Sequence, residues 1–360
     1  MGKTELINAR HLGQGEKQLW TDLRSASSDL SSPYFSPEWT AHVAKVRKDI
    51  QVAVLHDDNQ KITGFLPLQR PKGRVALPVG GALNDYHGII AAPGLDIDLR
   101  LAMRDCKVGR FDFSHVPASQ QIFERHAHIN HGSHVIDLSN GLETYRQSRL
   151  DNGSSETKRA RKRKRKLDRD IGPVRIETYS QDTEAFAQLM CWKRAQYKNT
   201  CIPDVFAHRW TRDLVQNLFE AGGPGKFGGA LFLLYAGDQM VAANFCLADG
   251  DILHAWFVAH DRKFARYSPG QILFESMIDT FADSHIREID LGAGDYRFKT
   301  SLASFRRPMN AGFVAGCPVS AMVRAAEYKT RNWIEGLQLG RASLLPGKAM
   351  RRFDTYRGLA

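Results

Sequence analysis

Three apolar runs near the middle of the chain are joined by the shortest turns a sheet allows. Residues 230–236 (ALFLLYA) pass through Gly237-Asp238 into 240–248 (MVAANFCLA), and Asp249-Gly250-Asp251 leads on into 252–259 (ILHAWFVA). Gly and Asp tolerate the backbone conformations of tight hairpins, so a three-stranded antiparallel meander is predicted. Such a meander restricts its neighbours to elements that extend or cover a sheet. Upstream, residues 174–179 alternate like a strand after the helix-breaking Gly172-Pro173. Residues 182–199 and 206–221 have helical apolar spacing, the second stopping at Gly222-Gly223-Pro224-Gly225. Downstream come a loop (260–271), a helix carrying Ile272, Leu273, Met277, Ile278 and Phe281, a strand over 286–294, a short helix over 298–304 and a strand over 311–316. The predicted order is β-α-α-β-β-β-α-β-α-β.

The first half follows the same order less clearly. Strands are predicted at 5–9, 51–56, 62–69, 88–93 and 110–116, with helices at 16–27, 36–46 and 96–104. RFDFSHV (110–116) resembles EIDLGAG (288–294) in its place in the order, which predicts an internal duplication whose first copy has lost its glycine-rich loop. The resulting partition is an N-terminal domain over 1–140, a basic helical linker over 141–172, a C-terminal domain over 173–318 and a basic helical tail over 319–360.

The net charge of +11 is confined to two places. Residues 157–170 (TKRARKRKRKLDRD) carry a net +7 and residues 319–360 a net +5, leaving −1 for the rest. The first block has no aromatic residue, which removes support for base stacking and for DNA as a partner. A solvated helix face, attraction of an anionic ligand and contact with anionic lipid all fit such a block. No run reaches the ~18 apolar residues of a membrane span. Residues 1–10 lack the apolar core of a secretory signal, and the five scattered cysteines have no C-x-x-C spacing, so a reducing, cytoplasmic setting is expected. His126, His128, His131 and His134 cluster without a carboxylate or cysteine at ligand spacing, and no metal is expected. The chain has neither a complete phosphate-binding P-loop nor a G-x-S-x-G elbow.

Six stretches resemble a known family: GGALNDYHGII (80–90), KRKRKLDRDIGP (162–173), KRAQYKNT (193–200), ILHAWFVAHD (252–261), ARYSPGQILFESMID (265–279) and IDLGAGDYRFK (289–299). With the order of elements they resemble the GNAT acyltransferases, and within them the CelD-like proteins associated with bacterial cellulose and exopolysaccharide biosynthesis. The resemblance implies an α/β (α+β) fold of tandem GNAT-like domains, with mixed, mostly antiparallel sheets flanked by helices, similar in architecture to FemABX and leucyl/phenylalanyl-tRNA-protein transferases. It implies direct transfer from acyl-CoA, acetyl-CoA or longer, to an amine or hydroxyl of a sugar, lipid or polysaccharide precursor. The basic segments extend the expected location to the inner surface of the membrane. Two alternatives stay open: a FemABX-like transferase using aminoacyl-tRNA, for which tRNA would be a partner, and a non-catalytic accessory of a polysaccharide synthase.

The donor site is expected at Arg262, Lys263, Arg266, Tyr267, Ser268, Gly270 and Gln271, where a charged loop meets a helix N-terminus whose N–H groups suit a pyrophosphate. The GNAT pattern Q/R-x-x-G-x-G/A is matched by Arg266, but Pro269 and Gln271 replace its two glycines. Catalytic candidates are His254 as general base, Asp290 and Asp295 as orienting or proton-accepting carboxylates, and Lys299 as their counter-charge. Tyr296 would protonate the leaving thiolate, a role the resemblance implies. For the acceptor, the resemblance points to Asn84, Asp85 and Tyr86, while Lys193, Gln196 and Tyr197 share one helix face at i, i+3, i+4 spacing.

Overall fold

The computed structural model describes residues 3–71, 73–281, 284–294, 296–337 and 345–359. It divides into two compact units that interleave along the chain. Unit one comprises Met1–His131, Ala207–Leu214 and Pro308–Ala360, and unit two Gly132–Phe206 and Val215–Arg307. The consecutive partition read from the sequence is therefore cut differently: the end of the 1–140 segment joins unit two, and the 319–360 tail joins unit one.

In unit one, strands β1 (Thr4–Asn8), β2 (Ile50–His56) and β3 (Ile62–Gln69) form an antiparallel sheet edged by the two-residue β5 (Ile90–Ala91). A short β4 (Val75–Ala76) pairs in parallel with β6 (Arg110–Pro117). The helices are α1 (Gln14–Ser25), α2 (Pro37–Val46) and α3 (Leu99–Asp105). Ser36 caps α2 and Asp98 caps α3 by accepting first-turn N–H groups, and Pro37 opens α2 where its missing N–H costs nothing.

Unit two holds β7 (Ala127–Asp137) from its Gly132 onward, α4 (Gly141–Asp151), α5 (Glu156–Ile171), β8 (Val174–Glu177) and α6 (Thr183–Thr200). Next come α7 (Arg209–Ala221), β9 (Gly228–Ala236), β10 (Gln239–Asp249), β11 (Ile252–His260), α8 (Pro269–Thr280), β12 (Glu288–Ala293) and α9 (Arg297–Leu302). The sheet runs β7-β12-β11-β10-β9-β8 and is antiparallel except for β11 and β12. Helix α8 is buried over Ile272, Leu273, Phe274, Met277 and Ile278. Each such apolar side chain contributes roughly 1.5–3 kcal/mol by leaving water. From β13 (Phe305–Ala315) the chain returns to unit one and ends in α10 (Pro318–Gly336) and α11 (Leu345–Leu359).

From β8 to β13 the order is the predicted one. What differs is the use of the last strand of each copy. β7, which follows the first copy, pairs with β12 in unit two (Asp137↔Glu288, Val135↔Asp290), and β13, which ends the second copy, pairs with β6 in unit one (Met309↔Pro117 to Ala315↔Arg110). The copies thus exchange strands. The basic run forms a single helix, α5, with Ala160 and Leu167 buried, and Gly172 ends it at φ 143°.

Candidate functional site

Among the described residues, the parallel strands β11 and β12 pair at Ile252↔Glu288, Leu253↔Ile289 and His254↔Asp290. Beyond that β11 runs on to His260, while β12 turns away. Gly292 adopts φ 75°, its N–H is held by the Asp290 carboxylate at 2.7 Å, and the register against β7 slips between Asp290 and Ala293. On the other edge of β11, the register with β10 slips between Phe245 and Cys246. Such irregularities bend strands. The result is a fork between β11 and β12, with His254 and Asp290 at its vertex.

The vertex is sealed. His254 is 0% and Asp290 2% exposed, and His254 Nδ1 stands 3.6 Å from Asp290 Oδ1. Ser133 Oγ, from β7, donates to Asp290 Oδ1 at 2.6 Å. Arg307 stands 3.5 Å from Asp290 Oδ2 and donates twice to Glu288, at 3.0 and 2.8 Å. Burial pushes the Glu288 carboxyl up, against the pull of Arg307. Arg307, which the sequence did not single out, is thus a cation beside Asp290. His254, expected as a general base, is thus fully buried, and its ring presents no surface to an acceptor.

The side chains nearer the fork's arms are Lys193, Lys299 and Tyr296. Lys193, on α6, donates from Nζ to the Val258 carbonyl at 3.3 Å, on the part of β11 that β12 has left. Burial, aided by the charge of Lys299, pulls its pKa down to about 8. Lys299 donates to the Ala293 carbonyl at 2.7 Å and lies 5.6 Å from the Tyr296 ring. Tyr296 is 59% exposed. Gln196 is exposed and Tyr197 half-buried, its ring 6.1 Å from that of Phe206. Asp295 lies outside the described residues.

Between β11 and α8 the chain forms a 3-10 turn, Arg262–Tyr267, capped by Asp261. Ser268 follows in the left-handed conformation at φ 52°, and Pro269 opens α8. The Arg266 guanidinium lies 4.7 Å from the Tyr267 ring and donates to its hydroxyl at 2.5 Å; that hydroxyl donates to Asp170 of α5 at 3.0 Å. Gln271 accepts from Arg163, also on α5. Tyr267 and Gln271, expected to bind the donor, thus hold α5 against the loop and α8. Arg262 and Lys263 are exposed beside the α8 N-terminus, and Gly270 packs toward Val258, whose Cγ2 would lie 3.8 Å from an added Cβ. The helix start, the charged turn and the β11 arm are therefore contiguous.

In unit one, Asn84 and Tyr86 are interior rather than presented to a ligand. Asn84 donates to the Val79 carbonyl at 3.0 Å, and its Oδ1 lies 2.9 Å from His87 Nδ1. His87 Nε2 accepts the N–H groups of Ser114 and His115, so Nδ1 carries the proton; burial holds the ring well below its ordinary pKa. Tyr86 is 1% exposed among Tyr34 and Phe35, and Asp85 is half-buried. Just before β5, the Gln120 side chain accepts from the N–H of Ile89 and donates to its carbonyl, at 2.9 and 3.0 Å. Of the four clustered histidines, His128 stacks between Phe313 and Tyr328, His131 bonds the Ser114 carbonyl, and burial pulls the pKa of His126 down to about 4. Among the described residues no helix is long and apolar enough to cross a membrane.

Residues 154–300 match the family model of the acetyltransferase (GNAT) domain. No curated protein matches the chain in sequence. Among solved structures, FemX is similar at a TM-score of 0.54 and 11% identity, over 89% of this chain and 100% of that one. A C-terminal domain assigned to a lysylphosphatidylglycerol synthetase of Agrobacterium fabrum is similar at 0.52 and 11%, over 86% of this chain and 95% of that one. L-PGS from Bacillus licheniformis is similar at 0.51 and 7%, over 88% and 96%. At such identities the likeness is one of fold, a mixed α/β GNAT-like fold.

Proposed function

We propose that unit two transfers an acyl group from an acyl-CoA to an amine or hydroxyl acceptor, as the resemblance to CelD-like proteins of polysaccharide biosynthesis implies. The fork carries this reading: from residue 255 onward β11 has parted from β12, and the first turn of α8 stands against that arm at Val258. Arg262, Lys263 and the α8 N-terminus would hold the donor's phosphates, and the parted arm its amide-bearing chain. Bound there, the donor supplies an activated thioester carbonyl.

Lys193 is the proton acceptor in this reading. A base with a pKa near 8 matches general-base work near neutral pH. As the acceptor's nitrogen or oxygen bonds the acyl carbon and the carbon–sulfur bond breaks, the acceptor's proton passes to Lys193 Nζ. Tyr296, exposed beside Lys299, supplies the proton to the departing thiolate. Asp290, Ser133, His254 and Arg307 position the vertex without touching either substrate.

A second reading, an aminoacyl-tRNA donor, is favoured by one observation. Pro269 and Gln271 replace the pattern's glycines, and Gln271 is engaged by the basic helix α5. Calorimetric titration of the full chain with acetyl-CoA, longer acyl-CoAs and aminoacyl-tRNA separates the two: saturable binding of an acyl-CoA supports the first, and binding of aminoacyl-tRNA alone replaces it with the second.

A further inference from the structure

Helix α10 is turned inside out. The side that faces the rest of unit one carries Arg324, Tyr328 and Arg331, with Arg324 only 2% exposed. The outward side carries Val319 (70% exposed), Met322 (73%), Val323 (57%), Trp333 (66%) and Leu337. These positions fall within a third of the helix circumference and extend for about 27 Å at 1.5 Å per residue. Helix α11 repeats the arrangement: Leu345, Phe353 and Tyr356 face outward, while Gly347 and Gly358 are buried. Gly358 lies so close to Gly81 that a Cβ there would meet backbone at 3.1 Å or less, so the inward face is fixed.

The charges are sorted in the same way. The acidic residues of 319–360 are Glu327, Glu335 and Asp354. Each is in an ion pair: Glu327 with Arg324 at 2.6 Å, Asp354 with Arg324 at 2.7 Å, and Glu335 with Arg331 at 2.8 Å. Arg324 and Arg357 also meet the buried Asp112 of β6, at 3.5 and 3.0 Å. Lys329, Lys348 and Arg351 are exposed. Large apolar side chains, aromatic residues suited to a headgroup region and cations thus face outward, while the acids are held by arginines.

We infer that the outward face of α10 and α11 docks on an anionic lipid bilayer. Helices that lie in a membrane surface combine an apolar stripe with flanking Lys and Arg, and Trp and Tyr favour the headgroup level. The alternative occupant, a second copy of the chain, would bring like cations together. The inference stands independently of the transfer reaction.

The test is sedimentation of the full chain with vesicles of phosphatidylcholine alone and of phosphatidylcholine mixed with phosphatidylglycerol. Binding is expected to the anionic vesicles and to weaken with salt. Lys329→Glu with Lys348→Glu is expected to weaken it on the order of 10-fold or more, since each cation near an anionic surface is worth about 5-fold. Met322→Glu with Trp333→Glu is expected to remove it. Both pairs are exposed, and an unchanged melting temperature verifies that the variants fold. Absent binding, equal binding to both vesicles, variants that bind like the parent, or a dimer in light scattering that Trp333→Glu dissociates, would each overturn the inference.

Discussion

Lys193 meets two conditions seldom combined in one lysine: its Nζ is held on a backbone carbonyl of the parted strand, and burial together with Lys299 brings its pKa to about 8. If it accepts the acceptor's proton, kcat/KM rises about tenfold per pH unit below 8 and levels above it. Lys193→Met is expected to lower kcat on the order of 100-fold and flatten that profile. The same lysine marks stability. Its folded pKa lies below the ordinary 10.5, so between about 8 and 10.5 the unfolded chain binds more protons and stability rises with pH. Denaturation of Lys193→Met across that window should lack the rise. Asp290 is a different case. It accepts from Ser133 and Gly292 and faces His254 and Arg307, all behind the fork. Asp290→Asn should lower stability by about 3 kcal/mol and slow transfer, because a buried charge set loses one partner. Acyl-CoA affinity in calorimetry should stay within about twofold, that is, within about 0.4 kcal/mol; normal turnover in that variant would leave Asp290 a purely structural residue.

At the scale of elements, α5 is clipped to the donor loop through Tyr267–Asp170 and Arg163–Gln271. Arg262 and Lys263 are exposed, and they are the cations proposed to hold the donor's phosphates. Reversing both to Glu should weaken acyl-CoA binding on the order of 10-fold, with the larger loss at low salt, where exposed charges act furthest. Equal affinity would misplace the donor phosphates. The hairpins β9–β10–β11 and helix α8 were legible because Gly-Asp turns and apolar periodicity are local signals. The strand β7 was not: its AHINHGSHVID has no apolar alternation, and its partner is remote in sequence. Ser133 and Arg307 were missed for the same reason, since they reach the vertex from β7 and β13, Ser133 across 157 residues to Asp290. Asn84 and Tyr86 misled in the opposite direction. Polar residues between glycines read as an exposed turn, and only packing shows Tyr86 buried and Asn84 tied to His87.

For the whole molecule, the exchange of β7 and β13 makes each sheet depend on a strand contributed by the other copy's sequence. The chain therefore passes from one unit to the other inside β7, at 131–132, and inside β13, at 307–308, so each of these strands is continuous with both units. Urea denaturation followed by the tryptophans Trp20 and Trp39 of unit one and Trp192 and Trp256 of unit two should give coincident transitions, checked with variants retaining only one pair. Separated midpoints would show that the exchanged strands do not couple the units. The fork between β11 and β12 lies in unit two, whereas in unit one Gln120 bonds both backbone groups of Ile89. The most direct measurement of the central claim is a calorimetric titration of the full chain with acyl-CoAs. The fork and donor turn of unit two predict saturable binding at one site per chain, weakened by the Arg262→Glu, Lys263→Glu variant. No heat with any acyl-CoA, or two equivalent sites, would contradict it.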